Sequence, residues 1–165
     1  MRRFTSLVVA LAFGALPSGW VAAASPTLAP NVTLQSADGS TVESSTYRGK
    51  VVLVDFWASW CLPCKTSFPA LDSLYREYQP RGLEVLAVNL DERRRDADAF
   101  LRDRSHHLIV LFDPTGAAPK AFGVKGMPSS FLIDKAGNIR FSHMGYSGNV
   151  DKNYRREIAQ LLAEQ

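Results

Sequence analysis

Apolar residues in this chain gather in short unbroken runs, separated by stretches with helical spacing. Val51–Trp57 is apolar but for Asp55 and rich in β-branched residues, the pattern of a strand buried on both faces. Leu83–Leu90 and Leu108–Phe112 repeat that pattern. After the first run, Phe68, Leu71, Leu74, Tyr75 and Tyr78 recur at helical intervals and predict an amphipathic helix that Arg81-Gly82 ends. Phe100 and Leu101 mark one face of a second helix, for which Asp91 is a candidate cap and which ends near Ser105. A short helix reaches Phe122 and stops at Gly123. Ser130–Asp134 and Ile139–His143 flank the turn Lys135-Ala136-Gly137-Asn138 and predict an antiparallel hairpin. A last helix starts at about Val150 and turns Ile158, Leu161 and Leu162 inward. Near the N-terminus, Val32–Gln35 and Thr41–Glu43 flank Asp38-Gly39, a hairpin signal, behind an irregular lead-in that holds Pro26 and Pro30. Strand–helix–strand units followed by a hairpin and a helix predict an α/β sandwich with a central mixed β-sheet flanked by helices.

The first 24 residues read as a signal peptide rather than as part of the fold. Arg2 and Arg3 precede the apolar stretch Leu7–Leu16, helix-breaking Pro17 and Gly19 follow, and Ala22-Ala23-Ala24 offers small residues for cleavage. The expectation is a protein exported to the periplasm, with residues 25–165 as one domain of ordinary size. A retained N-terminal anchor is the alternative, although the stretch is barely long enough to span a bilayer and is interrupted. Arg2 and Arg3 supply two of the three charges in the formal net charge of +3. The remaining basic cluster, Arg93-Arg94-Arg95, is flanked by Asp91, Glu92, Asp96 and Asp98, which fits a solvated helix face and not a nucleic-acid surface.

The two cysteines of the chain change the picture most. Cys61 and Cys64 stand in Trp60-Cys61-Leu62-Pro63-Cys64-Lys65, where the first strand hands over to the first helix. A disulfide between them closes too short a loop to constrain a fold, but it can open and close as two electrons arrive and leave. Cys61 falls at the helix N-terminus, where free amide N–H groups and the helix dipole stabilise a thiolate. It is the expected nucleophile, and Cys64, one turn further in and more buried, the resolving thiol. Pro63 fits the first helical turn, which needs no N–H there. Leu62-Pro63 adds neither charge nor histidine, so the thiolate of Cys61 is expected to be only moderately favoured and the pair to act as a reductant. Asp55, in the middle of an apolar run, must be neutral or paired.

These residues resemble the thioredoxin superfamily, and within it the exported TlpA/ResA-like branch. The resemblance is carried by Val54-Asp55-Phe56-Trp57-Ala58, Trp60-Cys61, Pro63-Cys64-Lys65, Val88-Asn89-Leu90-Asp91 and Gly126-Met127-Pro128-Ser129-Ser130-Phe131-Leu132-Ile133-Asp134, with Pro69 at the place of the family's helix-kinking proline. The N-terminal hairpin and the helix–strand insert at about residues 92 to 112 point to the exported branch. The resemblance implies a thioredoxin-like sandwich and a thiol:disulfide oxidoreductase. Pro128 matches the cis-proline that faces the disulfide, and Met127 would offer backbone groups to an extended substrate. Trp60, Leu62 and Pro63 would shape the same contact surface, while Trp57 is core. Asp55 matches the buried aspartate thought to shuttle the proton of the resolving cysteine, but the lysine that accompanies it in thioredoxin is replaced by Ala87. Some ResA-type relatives carry a glutamate at the position of Ser67, so this chain lacks that device.

The implied partners are client proteins with disulfides or thiols, in cytochrome or copper-centre maturation, and a membrane electron donor that restores the dithiol. No cofactor beyond the Cys61–Cys64 pair is expected, and no metal or nucleic acid. Two other readings use the same residues. One is an oxidant or isomerase running the exchange in reverse. The other is a copper-delivery chaperone without turnover, with His143-Met144 as soft ligands and His106 and His107 as further nitrogen donors.

Overall fold

The computed structural model describes residues 27–164; the expected signal peptide at 1–24 lies outside them. The strands are β1 (Thr27–Leu28), β2 (Thr33–Gln35), β3 (Thr41–Glu43), β4 (Val51–Trp57), β5 (Leu83–Asn89), β6 (Ile109–Phe112), β7 (Ser129–Ile133) and β8 (Asn138–Met144). The α-helices are α1 (Leu62–Tyr78), α2 (Arg94–Arg102), α3 (Ala117–Ala121) and α4 (Val150–Ala163). All eight strands join one sheet in the order β1-β8-β7-β4-β5-β6-β2-β3. β4, β5 and β6 run parallel, whereas β7 is antiparallel to β4 and β8 to β7, so the sheet is mixed as the pattern predicts.

All seven residues of β4 are buried, because β5 and β7 pair with it along both edges and a layer covers each face. Period-2 alternation sorts them. Val51, Leu53 and Trp57 face a layer that holds Phe68, Leu71 and Leu74 of α1, Phe100 of α2 and Tyr154, Ile158 and Leu161 of α4. Val52, Val54 and Phe56 face the other layer, with Ala118 and Phe122 of α3 and Val32 and Leu34 of the N-terminal segment. Trp57, Phe68 and Phe100 pack ring on ring, with centroids 5.0 to 5.4 Å apart, and lock α1 and α2 against the end of β4. Such contacts stabilise by roughly 0.5–1.5 kcal/mol each beyond their buried area.

Three expectations need correction. Thr27–Leu28, within the lead-in read as irregular, pairs with Ile139 and Asn138 as the edge strand β1. The hairpin of β2 and β3, where the sequence places it, joins the main sheet through the pairing of Gln35 with Phe112. Asp91 does not cap α2; Arg93 holds the cap position without a side-chain bond, and the helix ends at Arg102 rather than near Ser105. Two carbons of side chain put Asp91 within reach of the turn after β4, which takes its carboxylate instead.

Candidate active site

The site lies where the C-terminal end of β4 meets the start of α1. Cys61 is the helix N-cap, and its Sγ accepts the backbone N–H of Cys64 at 3.2 Å. That N–H is one of the donors a helix start leaves unpaired, aimed here at the Cys61 sulfur. Cys61 and Cys64 form a disulfide with Cα atoms 5.2 Å apart. Cys64 is the more enclosed at 1 % exposure, against 5 % for Cys61, in the order the sequence predicts. Pro63 stands in the first turn of α1, and Pro69 lies within the helix.

The rim around the disulfide is apolar. Trp60 is 68 % exposed and Leu62 73 %, whereas Trp57, three residues before Trp60, is core. The Met127–Pro128 peptide is cis, at the same end of the sheet, since β7 begins at Ser129 opposite Phe56 of β4. Met127 is partly buried against the layer that holds the cysteines. The Pro128 carbonyl accepts the Gly145 N–H at 2.8 Å, which fixes this loop to the end of β8. Met144, the last residue of β8, is 72 % exposed. Its sulfur packs near Gly126, 3.6 Å from where a Cβ there would stand, an ordinary van der Waals distance.

Beneath the rim lies Asp55. It alternates with Leu53 and Trp57 and therefore faces the layer containing Cys64 and Tyr154. Across the sheet its neighbours are Ala87 on β5 and Ser130 on β7. Burial pushes the Asp55 carboxyl up to about 7, and the Ser130 hydroxyl bond offsets only part of that rise. At neutral pH such a group both holds and accepts protons.

A second carboxylate braces the turn. Asp91 accepts the Ser59 N–H at 3.0 Å, the Ser59 hydroxyl at 2.9 Å and Asn89 Nδ2 at 2.8 Å. It thus ties the residues just before Cys61 to the end of β5. The three histidines have other partners: His143 on β8 bonds Glu157 at 2.7 Å, His107 bonds Asp72, and the His106 ring packs on Phe68. Among the described residues no group of three His, Cys, Asp or Glu side chains is arranged to hold a metal.

The AhpC/TSA family model matches residues 27–142, most of the chain, including Asp55, Cys61, Cys64 and the Met127–Pro128 loop. The chain belongs to the AhpC/TSA family. Among curated members, ResA of Bacillus thuringiensis subsp. konkukian, a thiol-disulfide oxidoreductase, is 34 % identical over 111 residues, 67 % of this chain and 64 % of the relative. ResA of Bacillus subtilis is 32 % identical over 111 residues, 67 % of this chain and 62 % of its own. The match thus spans a little under two thirds of these relatives. In three dimensions the chain is similar to a putative thiol:disulfide interchange protein DsbE from Chlorobium tepidum, at 40 % identity and TM-score 0.80, over 84 % of this chain and 97 % of that one. A thioredoxin-family thiol:disulfide interchange protein from the same organism aligns at 26 % identity and TM-score 0.75, over 86 % and 100 %. The fold of this AhpC/TSA member is thioredoxin-like, as the sequence resemblance implies.

Sequence reasoning missed Ser130, Tyr154, Ser59 and the clamp role of Asp91. Signals for two of them were present. Ser130 stands two residues before buried Leu132 on one face of β7, and Tyr154 stands four before Ile158 on the apolar stripe of α4. The Asp91–Ser59 contact joins residues 32 apart and has no local pattern.

Proposed function

We propose that the chain is an exported thiol–disulfide oxidoreductase that reduces disulfides in client proteins. The observation that carries this reading is the Cys61–Cys64 pair at the start of α1, with the Cys64 amide aimed at Cys61 Sγ. In the dithiol form the Cys61 thiolate attacks one sulfur of a client disulfide and releases the other as a thiolate. Asp55 takes the proton of Cys64, whose thiolate then attacks Cys61 Sγ. That step leaves the Cys61–Cys64 disulfide and frees the second client sulfur, so two electrons have passed to the client. A membrane electron donor returns them.

The uncharged Leu62-Pro63 dipeptide supports the reducing direction. The exposed apolar side chains of Trp60 and Leu62 and the Met127–Pro128 loop suit an extended client segment with apolar residues around its cysteine. Export rests on the leader pattern of residues 1–24. Clients whose cysteines must be reduced before a haem or copper centre is built fit a reductant in that compartment.

The test is insulin reduction, followed by precipitation of the freed chain, together with the equilibrium against glutathione. Wild type should accelerate reduction, Cys61→Ser should abolish the acceleration, and Cys64→Ser should accumulate an adduct through Cys61. Equal rates for wild type and Cys61→Ser would end the proposal. A pair far more oxidising than glutathione would reverse its direction.

A further inference from the structure

Asp55 is not surrounded by apolar groups alone. The Ser130 hydroxyl donates to Asp55 Oδ1 at 2.7 Å, and Ser130 Oγ accepts from Tyr154 Oη at 2.7 Å. All three residues are buried, and they come from β4, β7 and α4. Asp55 Oδ2 is buried and, among the described residues, has no hydrogen-bond partner.

The order of donation matters. Tyr154 has one hydroxyl proton, and it is spent on Ser130. An acceptor position of Ser130 is thereby filled, and its own proton is left to point at Asp55. Oδ1 is then satisfied whether the carboxyl is ionised or protonated on the other oxygen. A proton can arrive at or leave Oδ2 with no rearrangement around Oδ1.

We propose that Ser130 and Tyr154 are positioning residues that fix the Asp55 carboxyl, one oxygen locked and the other free for the Cys64 proton, in place of a charged partner. The inference rests on the reading of Asp55 as the base for Cys64. The neighbours of Asp55 supply no substitute. β5 presents Ala87, and α1 brings Cys64 to the same layer. From α4 come Tyr154 and Glu157, Tyr146 approaches Tyr154, and from β8 His143 is engaged by Glu157 at 2.7 Å with its ring against Tyr154 at 5.0 Å. The bond from Ser130 favours the ionised carboxyl against its burial, while burial first and the Asp55 carboxylate second push the Tyr154 hydroxyl up, which keeps it a donor.

The experiment reacts the reduced protein with 5,5′-dithiobis(2-nitrobenzoate). Cys61 attack releases the first thionitrobenzoate, and Cys64 attack on the resulting mixed disulfide releases the second. The first release is the reference in each variant, and the pH profile of the second reads the base. Ser130→Ala and Tyr154→Phe, which deletes one oxygen and keeps the ring, should move the midpoint of that profile upward, by about 0.4–1 unit for Ser130→Ala. Ser130→Thr should restore it, and carbon-13 titration of the Asp55 carboxyl in the disulfide form should show the same shift without turnover. If Asp55→Asn alters the profile but both hydroxyl deletions keep the wild-type midpoint, the positioning role is wrong and the base survives. If Asp55→Asn leaves the profile unchanged, the base itself is wrong and the positioning role falls with it.

Discussion

Asp55 ionises at about pH 7 in the folded chain, against an ordinary value of 3.8. Between those values the folded chain holds a proton that the unfolded chain has lost, so stability falls as pH rises from about 4 to 7 and then levels off. A shift of that size corresponds to about 4 kcal/mol at full ionisation. Asp55→Asn keeps the shape and removes the charge. Its stability relative to wild type should therefore be higher at pH 8 than at pH 4, by about 2–4 kcal/mol in urea denaturation of the disulfide form. Any fixed effect of the amide cancels in that difference, and an identical effect at both pH values would contradict the assignment. The same residue shows what a sequence discloses. That a carboxylate in an apolar run must be neutral or paired was legible; that Ser130 and Tyr154 partner it was not, because their contacts with it and each other cross 75 and 24 residues.

Among elements, the turn from β4 into α1 is held from outside by Asp91, which sits two residues past the end of β5. Asp91→Ala leaves the Ser59 amide and hydroxyl and the Asn89 amide without their acceptor. Such a change costs about 1–3 kcal/mol where the donors stay buried. The expected result is a loss of that size in urea denaturation and faster hydrogen exchange at Ser59, with the centre of β4 unaffected; slow exchange at Ser59 would show that the clamp is idle. Local patterns disclosed the elements well where one period governs. β4 and β5 stand out as apolar runs, α1 as a spaced stripe, and the β7–β8 hairpin through its turn. They failed at β1, two residues long and set by pairing with β8, and at the start of α2, where an aspartate that looked like a cap is drawn to a distant partner.

At the scale of the molecule, stability should grade from the middle of the sheet outward. β4, β5 and β7 are paired on both edges and covered on both faces, while β1 and β3 have one neighbour each and exposed or half-buried residues. Native-state hydrogen exchange is expected to be slowest in β4 and β5 and fastest in β1 and β3; equal protection across the sheet would contradict this. The register also sets the molecule's poles. The disulfide, Pro128 and Met144 share one end of the strands, whereas β1 meets β8 at Asn138 and Ile139, at the other. Lys135 Nζ, in the turn at that far end, donates to the Leu162 carbonyl, so the last helix finishes there too. A tag or tether joined before Thr27 or after the last helix would hang like a handle from the pole opposite the chemistry. The end of the sheet that carries the disulfide would still point away from whatever holds the protein in place.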